Sequence, residues 1–192
     1  MSKPLILLIG GGGHCHSVID VLELQGQYQI YGIVDTPDKV GSTVLGYPVL
    51  GADKDLPQLF EKCAHAIISV GHIQSSALRV KLFNAAKKAG FTLPTIVSPL
   101  AYVSKHAQLG EGTVVMHHAL VNANVKTGVN CIINSKALVE HDALVGDHCH
   151  IATAAVVNGG AQIEDHIFVG SNSVIVQGAQ VHSFVKAGRL QK

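Results

Sequence analysis

From Val103 onward the chain repeats itself every six residues. Stepping by six meets Val103, Leu109, Val115, Val121, Thr127, Ile133, Val139, Val145, Ile151, Val157, Ile163, Val169, Ile175 and Val181, and thirteen of these fourteen are aliphatic. Four places after each stands a second set, nearly all small, running from Ala107, Thr113 and Ala119 through Cys131, Ala137, Ala143, Cys149, Ala155 and Ala161 to Ala179 and Val185. An amphipathic helix repeats at about 3.6 residues and a half-buried strand at two, so neither accounts for a period of six. The pattern predicts a triangular coil. Each hexapeptide forms one short side, the aliphatic residue fills the interior, and the small residue sits inward at the crowded corner. Three sides close a turn of eighteen residues, and successive turns stack as parallel strands roughly 4.8 Å apart.

The first 97 residues carry a different pattern. Apolar runs at residues 5–9, 30–34, 49–50, 66–70 and 93–97 read as strands. Helical stretches at 14–24, 56–62 and 75–89 alternate with them, the last stopped by Gly90. This alternation predicts a small parallel α/β domain over residues 1–97, with Ser98-Pro99 opening the coil domain of residues 98–192.

Composition narrows the function classes. Of the 192 residues 47% are hydrophobic and only 14% charged, with a formal net charge of +1. No basic tract invites nucleic acid, and no apolar run reaches the roughly 18 residues that span a bilayer. A cytoplasmic protein that binds neither membrane nor nucleic acid is expected. Cys15, Cys63, Cys131 and Cys149 form no CxxC pair, which fits reduced thiols better than a disulfide framework or a zinc site. Cys131 and Cys149 lie eighteen residues apart at the small position and should stack inside the coil. Twelve histidines are many. His106, His148, His166 and His182 fall outside both inward positions and are expected in solvent, as are His117 and His118.

Gly10-Gly11-Gly12-Gly13-His14 follows the first strand and opens a helix. It fails the GxGxxG fingerprint, because Cys15 stands at the sixth position. A glycine-rich turn before a helix still offers backbone N–H groups to an anion. Asp35 ends the second strand, where such folds contact a ribose or a base.

The two halves together resemble the hexapeptide-repeat sugar O-/N-acyltransferases of the sialic acid O-acetyltransferase and UDP-4-amino-sugar (bacillosamine-pathway) acetyltransferase type. The resemblance rests on IGGGGHCHSVIDVLE, GIVD, GYPVLG, SVG before a helix, and INSKALVEHDALVGDHCHIATAAVVNGG. It implies a Rossmann-like domain followed by a left-handed parallel β-helix, a homotrimer, and acetyl-CoA lying in the groove between neighbouring prisms. By the same match Gly10, Gly13, His14, Asp35, Gly71 and His72 become nucleotide-sugar candidates. His72-Ile73-Gln74 replaces the asparagine-rich stretch common in the family.

Amide formation from a thioester needs a base for the attacking amine and donors for the oxyanion. Glu140-His141-Asp142 matches the family's catalytic histidine with its acid. His141 is the expected general base, Asp142 its orienting partner, and Glu140 the alternative partner. Eighteen residues on, one coil above, stands Gly159, whose N–H is the expected oxyanion donor. Asn134 and His150 match further acetyl-CoA-site positions. The chain ends without the family's usual GNPA-like turn, so Arg189 and Lys192 are the candidates for CoA phosphates.

The leading expectation is acetyl transfer to the 4-amino group of a UDP-4-amino-4,6-dideoxy sugar. The alternatives are O-acetylation of a sialic-acid-like sugar and a non-catalytic nucleotide-sugar-binding trimer. A metal-dependent lyase of the gamma carbonic anhydrase kind is disfavoured, because the chain lacks HxxxxH ligand spacing. No metal is expected.

Overall fold

Leu5–Ile9 is apolar at every position, and its last four side chains are buried. Such a strand is stable only at the centre of a sheet covered on both faces. The computed structural model, which describes residues 3–192, places this strand, β1, between β2 (Gln29–Val34) and β5 (His65–Ile68), both parallel to it. The sheet continues through β4 (Tyr47–Gly51) to β3 (Thr43–Val44), in the order β3-β4-β2-β1-β5. The β3–β4 pair is an antiparallel hairpin that the hydrophobic pattern alone does not reveal. Its two-residue turn, Leu45-Gly46, has φ of 47° and 85°, the left-handed pair a tight hairpin demands.

Helix α1 (Gly13–Gln25) buries Cys15, Val18, Ile19, Val21 and Leu22, an apolar stripe at helical spacing. It stops at Gly26, which turns left-handed at φ 64° and donates its N–H to the Leu22 carbonyl. Helix α2 (Leu56–Phe60) and helix α3 (Ala77–Ala89) complete the unit, with Phe60 packed edge-on against Phe91 at 5.4 Å. Arg79 of α3 is fully buried and donates to the carbonyls of Ile68, the last residue of β5, and of Val70 just beyond it. Sheet order reverses between β1 and β5, the position at which open α/β sheets bind ligands.

The apolar run at 93–97 does not form one strand. Thr92 pairs with the edge of β5 through Ala64 and Ala66, whereas Ile96–Val97 pairs with Val114–Val115 in the coil. Pro94 stands between them and has no N–H to give a continuous ladder. The chain divides into two units: residues 1–71 with 77–94, and residues 72–76 with 95–192.

In the second unit, two-residue strands stack into three parallel sheets of four, five and six strands. Partners are eighteen residues apart, as in Leu138↔Val156 and Ile133↔Ile151. The aliphatic and small positions together form the continuous interior, in which Val121, Val139, Val157, Cys131 and Cys149 have no exposed surface. Each buried Val or Ile contributes roughly 1.5–3 kcal/mol. Hydrogen bonding to Cys131, together with burial, raises the Cys149 thiol far above its ordinary pKa, so it stays protonated.

The backbone shows a second rhythm. At every sixth residue from Gly112 to Gly178, φ lies between 55° and 70°. These left-handed residues are the outer corners of the prism. Asn, Asp and His tolerate the conformation best, but Lys136 and Ala154 adopt it too. The last coil departs from the period. Leu190 pairs with Val174 and Val185 with Val169, sixteen residues apart instead of eighteen. Val185, expected at a small corner position, therefore takes a strand position.

Candidate functional site

In the coil unit, His141 occupies the position before a left-handed corner, and Asp142 is the corner itself at φ 61°. Both side chains are more than half exposed, at 58% and 55%. Asp142 Oδ2 lies 2.8 Å from His141 Nδ1. A carboxylate can only accept, so Nδ1 carries the proton and the neutral ring keeps its lone pair on Nε2. Among the described residues nothing bonds Nε2. The hydrogen bond that Nδ1 donates to Asp142, and then the charges of Asp142 and Glu140, raise the His141 pKa above its ordinary value. Asp142 is in turn lowered, first by a hydrogen bond from Asn124 and then by His141. Glu140 turns away from the ring: its Oε2 accepts from Asn122 Nδ2 at 2.7 Å and from the His141 N–H at 3.2 Å. Of the two acids expected to partner His141, Asp142 holds the ring.

One coil on, Gly159 lies under the imidazole. A Cβ there would sit 2.8 Å from His141 Cε1 and 2.9 Å from Nε2. The left-handed corner is Gly160, not Gly159. Room for the ring, rather than backbone conformation, requires glycine at 159. The Gly159 N–H is also unspent. At neighbouring corners the equivalent N–H is capped by the preceding side chain: Asn122 Oδ1 caps Ala123, Asn134 Oδ1 caps Ser135, and Glu140 Oε2 caps His141. Asn158 instead sends its amide to the Ile175 carbonyl at 2.8 Å, leaving the Gly159 N–H with no acceptor among the described residues. Two residues packed against each other thus each carry an unused polar group, the His141 Nε2 and the Gly159 N–H.

Asn134 and His150 are brought together, with Asn134 Nδ2 3.0 Å from His150 Nε2. His150 Nδ1 lies 2.8 Å from the His72 carbonyl. That carbonyl can only accept, so Nδ1 is the donor and Nε2 the acceptor. The amide cannot turn over, because Asn134 Oδ1 accepts from the Ser135 N–H at 2.8 Å. His150 is thereby held as a neutral ring, packed against His72 and Phe168. His72 is itself buried in this unit. Arg189 is exposed, and its carbonyl accepts from the Val174 N–H. His148 corrects an expectation. It is buried, stacked on His166 at 5.3 Å and bonded to Asn130, because corners eighteen residues apart place these rings one above another.

In the α/β unit, Gly10–Gly13, His14, Asp35 and Gly71 gather at the ends of β1, β2 and β5. Asp35 Oδ2 accepts from the Gly11 N–H at 2.9 Å and from Lys39 at 3.1 Å, and Oδ1 accepts from Thr36. Burial opposes ionisation of Asp35, but the Thr36 N–H, the Lys39 ammonium and the Gly11 N–H outweigh it and keep the carboxyl below its ordinary range. Gly10 has φ 107°, and a Cβ there would collide with Val70. Gly12 and Gly13 face open space, and Gly71 lies against His14. A cavity of about 330 Å³ opens beside Asp35, between Gly10, Pro37, Ala52 and Leu82.

Asn122 and Asn124 are the polar groups sequence reasoning passed over. Their signal is the eighteen-residue step back from Glu140 and Asp142. Among the described residues, no cluster of three or more His, Cys, Asp or Glu side chains is placed to hold a metal, and no helix is long and apolar enough to cross a membrane.

The stacked coil of short parallel strands behind a small α/β unit is the architecture of the hexapeptide-repeat acyltransferase class. Comparison with known proteins narrows the assignment. The model of the PglD N-terminal domain matches residues 5–86. The acetyltransferase domain of PglB from Neisseria gonorrhoeae, solved with acetyl coenzyme A, is 29% identical with a TM-score of 0.89, over 97% of this chain and 90% of that one. PerB from Caulobacter crescentus, solved with CoA and GDP-perosamine, is 31% identical with a TM-score of 0.70, over 97% and 92%. WeeI from Acinetobacter baumannii, 22% identical with a TM-score of 0.66 over 99% and 97%, shares the fold. No curated protein sequence matches the chain. The chain belongs to the hexapeptide-repeat sugar acetyltransferase family, and is accordingly an acetyl-CoA-dependent sugar acetyltransferase.

Proposed function

We propose that the protein transfers an acetyl group from acetyl-CoA to the 4-amino group of a UDP-linked 4-amino-4,6-dideoxy sugar. The observation that carries this reading is the close approach of His141 to Gly159, where a Cβ would stand 2.9 Å from Nε2, with Nε2 and the Gly159 N–H both unspent. The amine nitrogen attacks the thioester carbon while Nε2 takes the amine proton. The Gly159 N–H donates to the oxyanion of the tetrahedral intermediate. Collapse breaks the C–S bond, and the departing thiolate receives the proton from the imidazolium. Asp142 holds the ring in the tautomer this sequence needs and steadies its charged form.

Asn134 contributes the second hydrogen of its amide to the acetyl-CoA site, and Arg189 meets CoA phosphates. Glu140 anchors the loop rather than the ring. The Gly10–Gly13 turn with His14, Asp35 and Gly71 receives the nucleotide sugar, and the cavity beside Asp35 suits its base. The enzyme works as a homotrimer, with a neighbouring copy covering Leu100, Tyr102 and Leu144, which are 50%, 60% and 41% exposed. A cytoplasmic setting, where acetyl-CoA is available, fits this chemistry.

A GDP-linked sugar is the second reading, favoured by the PerB structure with GDP-perosamine; a form of that enzyme with a histidine-to-asparagine change was also solved with both ligands. Free thiol release from acetyl-CoA, followed against UDP- and GDP-linked 4-amino sugars and free sialic acid, decides among them. Release with a UDP-amino sugar supports the first reading and release with the GDP sugar alone the second. Release only with sialic acid would show oxygen, not nitrogen, to be acylated.

A further inference from the structure

We infer that Asn124, one coil before Asp142, is a positioning residue that sets the tautomer and basicity of His141. This rests on the reading of His141 as general base and adds a residue that reading does not require. Asn124 Nδ2 lies 2.6 Å from Asp142 Oδ1, while Asp142 Oδ2 lies 2.8 Å from His141 Nδ1. Amide, carboxylate and imidazole form one chain of hydrogen bonds across two coils. Each Asp142 oxygen has its own partner, so the carboxylate has one orientation in which the ring is held.

Geometry explains why the amide comes from this place. Residues 124 and 142 are both left-handed corners, each with φ 61°, and corners eighteen residues apart lie directly one above the other. A short side chain at 124 therefore points at a short side chain at 142. The left-handed backbone alone does not demand asparagine, since His118, Lys136 and Ala154 occupy equivalent corners. The same device acts on the other acid. Asn122 donates to Glu140, whose Oε2 then faces the backbone N–H of His141 and not its ring. Two amides on one coil thus sort two acids on the next: one carboxylate is given to the ring and the other to the backbone. The groups that face His141 are then Asp142 at Nδ1, Glu140 beneath its N–H, and Gly159 on the opposite side.

The variants that test this keep the corner intact. Asn124→Gly suits the positive φ and removes only the amide. Asn124→Asp keeps the shape and sets a carboxylate against Asp142. In Asn124→Gly, loss of one hydrogen bond to a charged group should lower the plateau kcat by about tenfold. The acidic limb of the kcat pH profile should move to lower pH, because a released Asp142 supports the imidazolium less. In Asn124→Asp the added negative charge should move that limb to higher pH. KM for acetyl-CoA should stay near the wild-type value in both. Opposite displacements of the limb establish the role. A limb that stays in place in both variants overturns it, whatever happens to the melting temperature or the plateau. His141→Ala, assayed alongside, separates the two ideas: full activity there would remove the base itself, whereas an inactive His141→Ala with unmoved limbs would remove only Asn124.

Discussion

The imidazole of His141 lies across Gly159, so closely that a methyl group on Gly159 would stand 2.8 Å from Cε1. One residue limits where the other can be, and each carries an unspent polar group. Gly159→Ala should push the ring aside and lower kcat by roughly 10²-fold, as a misplaced reacting group does. The backbone at 159 is not in the left-handed region, so the melting temperature should hardly change. Steady-state kinetics beside a thermal melt checks both halves; retained activity would show that the ring tolerates displacement.

Removing the ring tests the base directly. His141→Ala should slow thiol release by roughly 10²–10⁴-fold, the usual contribution of a positioned proton acceptor. Acetyl-CoA binding, measured by calorimetry, should persist. Near-normal turnover would place the base elsewhere.

The pH dependence follows from the Asp142 bond. A general base works in its neutral form, so activity rises with pH through the His141 pKa. Asp142 raises that pKa above the ordinary 6.5, so the acidic limb should lie above pH 6.5. Asp142→Asn removes the charge and should bring the limb down toward the ordinary value while lowering the plateau. A limb that moves upward in this variant would contradict the assigned partner.

His150 links the Asn134 amide to the His72 carbonyl. His150→Phe should keep the packing against Phe168 but deprive the His72 carbonyl and the Asn134 amide of these bonds. The expected cost is about 1–3 kcal/mol of stability, read from urea unfolding. Proton–nitrogen NMR of the wild type should find the proton on Nδ1, as the His72 carbonyl requires. A proton on Nε2 would break the argument.

Asp35 ties the glycine-rich turn to β2. Asp35→Ala should release the Gly11 N–H and Lys39, raising KM for the nucleotide sugar about tenfold or more with little change in KM for acetyl-CoA. Equal effects on both constants would point to general unfolding of the unit instead.

The coil was legible because its interior is a strict one-dimensional code: Val139, Val157 and Ile175 sit one above another, and the same step connects His141 to Gly159. What stayed hidden depended on groups that do not enter that interior. The corner rhythm carrying Asn124 and Asp142 is mixed in composition, with Lys136 and Ala154 among its members, so no residue type announces it. His148 read as a solvated side chain because it lies outside both inward positions, although the eighteen-residue step to His166 stacks the two rings. The run at 93–97 looked like one strand because apolar content outweighed Pro94, whose missing N–H separates two pairings. Val185 held the right residue type for the wrong place, since the repeat cannot signal where it is about to lose two residues.

The sixteen-residue step also bears on where the coil tolerates a change of length. Elsewhere in the prism the eighteen-residue step keeps each aliphatic side chain in the interior, so losing two residues inside a regular turn would carry Val139 or Val157 out of it. Between Val181 and Val185 the period loses two residues, yet Val185 still pairs with Val169 and Leu190 with Val174. That stretch is a place at which the coil absorbs a deletion and keeps its ladder.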